Sequence, residues 1–238
     1  MLRTKLITGI TLGVILAFSQ NIHAATVSGT VKFDGTPPKF KEIKMDADPI
    51  CVTHNSGPVF PQTLMLGDGQ TMGNVFVYVK SGVKPGAAPA AAPELIIDQK
   101  GCQYHPHVAA VQVGQTVKIL NPDGTLHNVH ALSKVNPEFN VAMPKFRTEI
   151  TKTFDKAEPM FAIKCDVHPW MGAWIAVMPH SFFNVTKEDG KFSIENLPAG
   201  TYEIEAWHEK LGKKTMTVKV GDTETATADF TFAAPTKS

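Results

Sequence analysis

The chain has 238 residues, of which 43% are hydrophobic and 19% charged, and its 23 basic residues nearly balance its 22 acidic ones. This balance excludes the strongly charged surface that is typical of proteins that bind nucleic acid or a charged membrane surface. The length is sufficient for one large domain or two small domains, each with its own hydrophobic core.

Residues 1–24 have the pattern of a secretory signal peptide. Arg3 and Lys5 precede an apolar run over residues 6–18, and the segment closes on the small residue Ala24. This run is too short to cross a bilayer. We therefore expect cleavage near Ala24 and a mature chain that is periplasmic or secreted, has no membrane span and carries a net charge of −1, from 21 basic and 22 acidic residues.

Short alternating segments predict an all-β protein. Apolar residues recur with a period of two, the period of a half-buried strand, in four segments. These residues are Val75, Val77 and Val79; Tyr202, Ile204 and Ala206; Met216, Val218 and Val220; and Ala226, Ala228, Phe230 and Phe232. No helical stripe is longer than about two turns once the signal segment is set aside. The fold class predicted from these patterns is an all-β sandwich.

Two changes of pattern divide the chain. Residues 84–93, Lys-Pro-Gly-Ala-Ala-Pro-Ala-Ala-Ala-Pro, have no periodicity and are typical of a semi-extended linker. Strand patterns resume at Glu94, and the chain enters another series of turns and strands near residue 180. We therefore expect residues 94–180 to form a separate domain, with 25–83 and 181–238 as its flanks.

The two flanks contain different parts of one known pattern. Residues 26–38 read Thr-Val-Ser-Gly-Thr-Val-Lys-Phe-Asp-Gly-Thr-Pro-Pro, and residues 185–204 include Asp189-Gly190, a predicted hairpin turn, and a Leu-Pro-Ala-Gly-Thr-Tyr run. They resemble the opening strand and the centre of the carboxypeptidase regulatory-like, transthyretin-type β-sandwich. The resemblance implies that the middle domain is inserted into one discontinuous outer sandwich. Two unrelated domains in tandem, with a loop-rich N-terminal arm, are the alternative.

The chain has three cysteines, Cys51, Cys102 and Cys165. An odd number in an oxidising compartment indicates that one thiol has another role, for which a metal ligand is the natural choice. We therefore predict a disulfide between Cys51 and Cys102. The alternative is a second metal site, because His54 and His105 each follow one of these cysteines at the same three-residue step.

A copper-binding motif dominates the middle segment. Cys165-Asp-Val-His168-Pro-Trp-Met171 contains a thiolate, an imidazole and a thioether, and His127 lies 38 residues before the cysteine. A thiolate and a thioether suit Cu(I), whereas imidazole suits both oxidation states. Two histidines, one cysteine and a weak axial methionine are the ligand set of a blue-copper site, which predicts one bound copper ion.

The order of these motifs resembles that of the cupredoxins, most closely the amicyanin and plastocyanin kind. A Gly-Gln-Thr-Val strand starts at Gly114, an Asn-Pro-Asp turn at Asn121 and a His-Asn-Val-His loop at His127, and the Cys-x-x-His-Pro-x-Met loop starts at Cys165. The resemblance covers about 85 residues and implies a Greek-key sandwich.

The resemblance also assigns roles to single residues. It implies that the copper ligands are His127, Cys165, His168 and Met171. Behind them, Asn128 would brace the two ligand loops by hydrogen bonds. His130 is a second imidazole that departs from the family pattern, and we expect it in the core or behind the ligands. His168 would be the ligand nearest to solvent, within an apolar docking patch formed by Pro169, Trp170 and Met143.

A closed set of four protein ligands favours electron transfer over catalysis. We therefore expect a blue-copper electron carrier that is not an enzyme, with a cytochrome or a periplasmic oxidoreductase as its redox partner. A copper storage or delivery protein is one alternative. A carbohydrate- or protein-binding module with a structural copper domain is another, for which Trp207 is the only tryptophan away from the copper loop. His107 and His208 are expected to have packing or surface roles.

Overall fold

The computed structural model of the protein describes residues 25–84, 92–221 and 225–234. The predicted signal peptide and most of the predicted linker lie outside these ranges. Within them the regular structure is almost entirely β, as the all-β class predicts. The exceptions are a short helix, α1 (Pro49–Thr53), and a 3-10 turn at Asp68–Gln70. No helix in the described ranges has the length and apolarity that a membrane span requires.

The strands follow one another at short intervals. In chain order they are β1 (Ala25–Asp34), β2 (Met65–Leu66), β3 (Met72–Gly73), β4 (Phe76–Ser81), β5 (Leu95–Asp98), β6 (Val108–Gln112), β7 (Val117–Leu120), β8 (His127–Ala131), β9 (Phe139–Met143), β10 (Glu149–Lys152), β11 (Glu158–Lys164), β12 (Gly172–Met178), β13 (Phe183–Val185), β14 (Lys191–Leu197), β15 (Gly200–His208), β16 (Gly212–Val220), β17 (Thr225–Thr227) and β18 (Phe230–Ala233).

Strands from both ends of the chain share two sheets. In the first sheet β1 pairs with β14 in antiparallel and with β17 and β18 in parallel orientation. The second sheet has the antiparallel order β13-β4-β15-β16. Inward-facing residues of both sheets, such as Val27, Val77 and Ile204, form one buried core. The N-terminal and C-terminal flanks therefore build this sandwich together, while its carboxypeptidase regulatory-like identity stays a prediction.

The predicted strand over residues 226–232 is interrupted in its middle. Its first half is β17 and its second half is β18, and each pairs with a different half of β1. At the break the backbone N–H of Thr30 donates to Oδ1 of Asp229 at 2.8 Å. A Cβ on Gly29 would stand 2.1 Å from the carbonyl oxygen of Ala228, so the close approach of β1 to the segment between β17 and β18 requires glycine at this position.

The predicted hairpin at Asp189-Gly190 is wrong, because the strands on its two sides belong to different sheets. β13 pairs with β4, whereas β14 pairs with β1. The turn itself is present: Gly190 has a φ of 66°, and Oδ1 of Asp189 accepts a hydrogen bond from the backbone N–H of Lys191 at 3.1 Å. The turn thus carries the chain from one sheet of the sandwich to the facing sheet.

The strands between β5 and β12 form two further sheets with a shared core. Their orders are β10-β7-β5 and β6-β12-β11-β8-β9. Alternate residues of both sheets point into the core, among them Ile119 of β7, Ile163 of β11 and Ile175 of β12. This is the arrangement of a second β-sandwich. The loop from Cys165 to Met171 connects its neighbouring antiparallel strands β11 and β12.

Strand β4 contacts both sandwiches, because its successive side chains point to opposite faces. Val77 and Val79 lie in the core of the flanking strands. The rings of Phe76 and Tyr78, stacked with centroids 4.8 Å apart, face the middle sandwich instead. There they belong to a buried cluster with Val108, Ala176 and Met178. The two sandwiches are therefore joined through an apolar contact.

Residues 43–59, which we call the arm, cross from the N-terminal flank onto the middle sandwich. Met45 and Cys51 of the arm are buried in the same core as Ile163 and Met171. The arm closes on itself where the backbone N–H of Ile43 donates to the carbonyl of Val59 at 2.8 Å. No periodic pattern predicts this packing, since the only regular element of the arm is the single turn of α1.

Candidate metal centre

A tight loop between β11 and β12 carries three of the four predicted ligands. The backbone N–H of Cys165 donates to the carbonyl of Met171 at 3.1 Å, and that of Met171 donates to the carbonyl of His168 at 2.9 Å. These bonds close the loop from both ends. The side chains of all three residues are buried, with at most 2% of each exposed.

His127 joins them from a neighbouring strand. It is the first residue of β8, which pairs with β11 in the same sheet. Its Nδ1 lies 3.0 Å from Nδ1 of His168, and the latter lies 3.8 Å from Sγ of Cys165. The ligand atoms of His127, Cys165 and His168 all lie within 4.8 Å of one another. The structure thus brings together the predicted thiolate and both predicted imidazoles.

This donor set fits a copper ion. Imidazole nitrogens bind a transition metal at about 2.0 Å and a thiolate sulfur binds at about 2.3 Å, so donors on one ion are separated by roughly 3 to 4 Å. The 3.0 Å between Nδ1 of His127 and Nδ1 of His168 and the 3.8 Å between Nδ1 of His168 and Sγ of Cys165 match this range. Met171, 1% exposed, packs in the same core and lies at the end of the same loop.

Asn128 connects the two ligand-bearing segments, as predicted from the resemblance. Its Oδ1 accepts from the thiol of Cys165 at 3.3 Å and from the backbone N–H of Asp166 at 2.7 Å. Its Nδ2 donates to Asn140 and to the carboxylate of Asp166. Asn128, which follows His127 in sequence, therefore holds the backbone that follows Cys165.

His130 lies one step further from the ligands. Its two ring nitrogens contact Asp166 at 3.0 Å and Glu138 at 2.9 Å, and about 19% of its side chain is exposed. It contributes no atom to the cluster formed by His127, Cys165 and His168. Its structural role is to hold Asp166 in place beside Asn128.

The electrostatics of the metal-free centre favour a thiolate. Burial alone would raise the pKa of Cys165, but hydrogen bonding to His127 and to backbone groups lowers it overall. Burial lowers the pKa of His127, whereas its hydrogen bonds to Asp123 and Cys165 outweigh this and raise the pKa to about 9. For His168 burial prevails and lowers the pKa. The hydrogen bond between His127 and Cys165 therefore shifts the sulfur towards the thiolate, the form that binds metals.

The predicted disulfide between Cys51 and Cys102 is present, with Cα atoms 5.4 Å apart, and among the described residues Cys165 is the free cysteine. Two further groups of metal-ligating atoms include sulfurs of this disulfide. One contains His168 with both cysteines, and the other contains His127 with Asp123 and Cys102. A sulfur within a disulfide is not a thiolate, so these groupings are not ligand sets in the oxidised protein.

The arm covers His168 and leaves this predicted ligand almost completely buried. Oδ2 of Asp48 lies 3.1 Å from Nε2 of His168, and Sγ of Cys51 lies 3.6 Å from the same nitrogen. His168 is 2% exposed, no more than Cys165. Exposure therefore does not single out His168 among the four residues, because a segment more than 100 residues away in sequence lies over it.

Of the three residues of the predicted docking patch, two lie at or near the surface beside His168 and the third is buried. Pro169 is exposed and Trp170 is half-buried, with its ring 5.1 Å from that of His168. Met143 is completely buried, and its sulfur accepts a hydrogen bond from Gln99 at 3.1 Å. Met143 cannot line a surface, because its position in β9 points into the core.

Three further histidines, His54, His107 and His208, make hydrogen bonds within the fold. His54 contacts Oδ1 of Asp123 at 3.0 Å. His107, which is 8% exposed, pairs with the carboxylate of Glu209 and thereby links the middle sandwich to the flanking strands. His208 is 1% exposed, and its Nδ1 accepts two backbone hydrogen bonds. The packing roles expected for His107 and His208 agree with these contacts.

Sequence reasoning missed two acidic residues at the centre. Asp123 contacts Nε2 of His127 at 3.0 Å, and Asp48 contacts Nε2 of His168. Asp123 could have been suspected, since it ends the Asn-Pro-Asp turn four residues before His127. No pattern in the sequence relates Asp48 to the copper loop.

The comparisons with known proteins give similarity over part of the chain. No protein-family model matches, and a search of curated proteins gives no match. Among solved structures, copper(I) forms of two amicyanin mutants are 26% and 27% identical to this chain, with TM-scores of 0.32 and 0.33, and each match covers 43% of this chain and 98% of that chain. A copper-containing nitrite reductase from Thermus scotoductus SA-01 is 23% identical, with a TM-score of 0.32, over 42% of this chain and 25% of that chain. The similarity to the amicyanin structures thus extends over less than half of this chain.

Proposed function

We propose that the protein is a type 1 copper protein that carries single electrons, with His127, Cys165, His168 and Met171 as ligands. The observation that carries this proposal is the convergence of two imidazole Nδ1 atoms and one buried thiol sulfur. Copper at such a donor set cycles between Cu(I) and Cu(II), because thiolate suits the reduced ion and imidazole suits both.

The enclosure of the centre supports electron transfer over catalysis. Each of the four residues is at most 2% exposed, and the arm and Trp170 pack against His168. This burial disfavours a coordination position that a substrate could reach, whereas an electron can pass through packed side chains. Hydrogen bonds that Asn128 and Asp123 accept from Cys165 and His127 hold the metal-binding side chains in place, so little rearrangement accompanies a change of charge.

The same features distinguish an electron carrier from a storage or delivery protein. A protein that hands over Cu(I) needs ligands that a partner can reach, and this set is buried and mixed. The disulfide between Cys51 and Cys102 supports an oxidising compartment such as the periplasm. We expect a cytochrome or a periplasmic oxidoreductase as the redox partner, with Pro169 and Trp170 in the contact surface.

The proposal is tested by loading the mature protein with Cu(II) and recording its visible spectrum. An intense thiolate-to-copper charge-transfer band is expected, together with a reversible one-electron wave in voltammetry. Cys165→Ser should abolish the band, because a hydroxyl cannot replace the anionic sulfur. His127→Gln should weaken copper binding strongly, whereas the matched control His130→Gln should keep both band and binding.

Two results would contradict the proposal. A colourless wild-type protein with stoichiometric Cu(II) would exclude the thiolate ligand. Tight binding of Cu(I) without a reversible wave would favour storage or delivery instead.

A further inference from the structure

Each of the two histidines at the metal centre has a carboxylate on its outer nitrogen. Nε2 of His127 lies 3.0 Å from Oδ2 of Asp123, and Nε2 of His168 lies 3.1 Å from Oδ2 of Asp48. If a metal takes Nδ1 of each ring, Nε2 keeps its hydrogen and donates it to the carboxylate. The two acidic groups then fix the tautomer and the orientation of both rings.

Asp123 is a rigid partner for His127. Its side chain is 1% exposed, and it accepts from the backbone N–H groups of Gly101 at 2.8 Å and Cys102 at 2.7 Å. These contacts hold the carboxylate in a fixed position facing Nε2 of His127.

Asp48 is held at His168 by the arm. It is the N-cap of α1, where its Oδ1 accepts from the backbone N–H of Ile50 at 2.9 Å. Its Oδ2 accepts from the hydroxyl of Thr125 at 2.8 Å as well as facing Nε2 of His168. The disulfide at Cys51 ties the same helix to the middle sandwich. The carboxylate is therefore positioned both by hydrogen bonds and by a covalent link.

We propose that Asp48 and Asp123 are positioning residues of the metal centre that stabilise its oxidised state. A carboxylate at Nε2 raises the basicity of the imidazole and places negative charge behind the ligand. Because Cu(II) carries one more positive charge than Cu(I), this charge favours Cu(II). The side chain of Asp48 is 19% exposed, so solvent screens it only in part. The inference rests on the proposed copper site and adds the control of its reduction potential.

The decisive variant is Asp48→Asn, because asparagine caps helices about as well as aspartate does. With its one oxygen at the N-cap, asparagine keeps α1 but presents an amide NH2 group to Nε2 of His168, so the substitution removes both the charge and the acceptor behind that ring. Asp46→Asn is the matched control: it removes the same charge from the exposed residue two positions earlier in the arm. Asp123→Asn is less suitable alone, since it also weakens three other contacts.

The measurements are the dissociation constants of Cu(II) and Cu(I), each obtained by competition with a chelator, and the reduction potential by voltammetry. We expect Asp48→Asn to weaken Cu(II) binding about 10-fold, the lower end of the range for such partners. Cu(I) binding should change less than about 2-fold. The ratio of the Cu(II) to the Cu(I) dissociation constant should therefore rise close to 10-fold, which raises the reduction potential by about 59 mV for one electron. Asp46→Asn should leave the ratio unchanged.

The outcomes separate this inference from the proposed function. If the wild-type protein binds copper and shows the charge-transfer band, but Asp48→Asn keeps the wild-type ratio of Cu(II) to Cu(I) affinity, the inference is wrong and Asp48 only caps α1. An equal loss of Cu(II) and Cu(I) affinity would also overturn it, because the role would then be purely structural. If the wild type shows no band, the proposed function itself fails. Urea unfolding of the metal-free variants checks that each is folded.

Discussion

Asn128→Ala is the substitution that most directly tests how the ligand loop is held. The Asn128 side chain is 6% exposed and makes four hydrogen bonds, two through Oδ1 and two through Nδ2. Oδ1 accepts from Cys165 and from the backbone N–H of Asp166, and Nδ2 donates to Asn140 and the carboxylate of Asp166. Alanine removes all four and leaves the Asp166 amide without its acceptor.

The expected cost follows from these contacts. A neutral hydrogen bond contributes about 1 kcal/mol, and a buried group without its partner costs about 1 to 3 kcal/mol. The bonds to Asn140 and to the Asp166 carboxylate lie partly in solvent and count for less. We expect Asn128→Ala to lower the unfolding free energy of the metal-free protein by about 2 to 4 kcal/mol. Because the Cys165 loop is then loose, Cu(II) binding should weaken by about 10- to 100-fold.

Urea unfolding of the metal-free protein and competition binding of Cu(II) measure the two effects. Asn140→Ala is the matched control, because it removes an amide of the same size from the exposed end of the network; we expect it to cost less than about 1 kcal/mol. If Asn128→Ala unfolded within about 0.5 kcal/mol of the wild type and kept its Cu(II) affinity, the β11–β12 turn would be rigid without this side chain, and the reasoning would be refuted.

Two further predictions concern stability. Reduction of the Cys51–Cys102 disulfide by a dithiol should lower the unfolding free energy by about 4 kcal/mol, because the bond closes a loop with a sequence separation of 51 residues; a difference below about 1 kcal/mol in urea titrations with and without reductant would contradict this estimate. Glu158→Gln should cost about 2 to 3 kcal/mol at pH 7, since the buried carboxylate accepts from Ser133 and Asn136. Burial opposes ionisation, but these bonds and those to backbone N–H groups lower the pKa of Glu158 to about 2 from 4.5. The folded-state pKa is thus below the unfolded one, so the stabilisation is present above about pH 4.5 and is lost as the pH falls towards 2; unfolding curves of wild type and variant should converge there, and a gap that persists at pH 2 would refute the role of the charge.

Much of the fold could be predicted because alternation of apolar residues reports which face of a strand is buried. The segments around Val77, Ile204 and Val218 are strands in the structure. Alternation does not report which strand is the neighbour, and this is why the connection at Asp189-Gly190 was wrongly predicted as a hairpin. The break between β17 and β18 was also hidden, since it depends on a contact with Thr30.

The candidate site was also predictable only in part. Cys165 and His168 lie on one short loop, so their spacing alone indicates a shared site, and their chemistry narrows the metal. The cover over His168 could not be predicted, because Asp48 reaches it through the path of the arm. The burial of Met143 was missed for a related reason: the direction of its side chain depends on the register of β9 with β8.

The pairing of β1 has a consequence for how the chain reaches its native state. Val27 faces Ile194 and Val31 faces Phe230, pairs that are about 170 and 200 residues apart in sequence. Antiparallel neighbours in the middle sandwich, such as β11 and β12, are separated only by the ligand loop. Since contacts between distant residues form late, we expect the sheets around the candidate metal centre to form before β1 pairs with β14 and β18. In a chain emerging from its N-terminus, the open edge of β1 is then the surface most exposed to association with other chains.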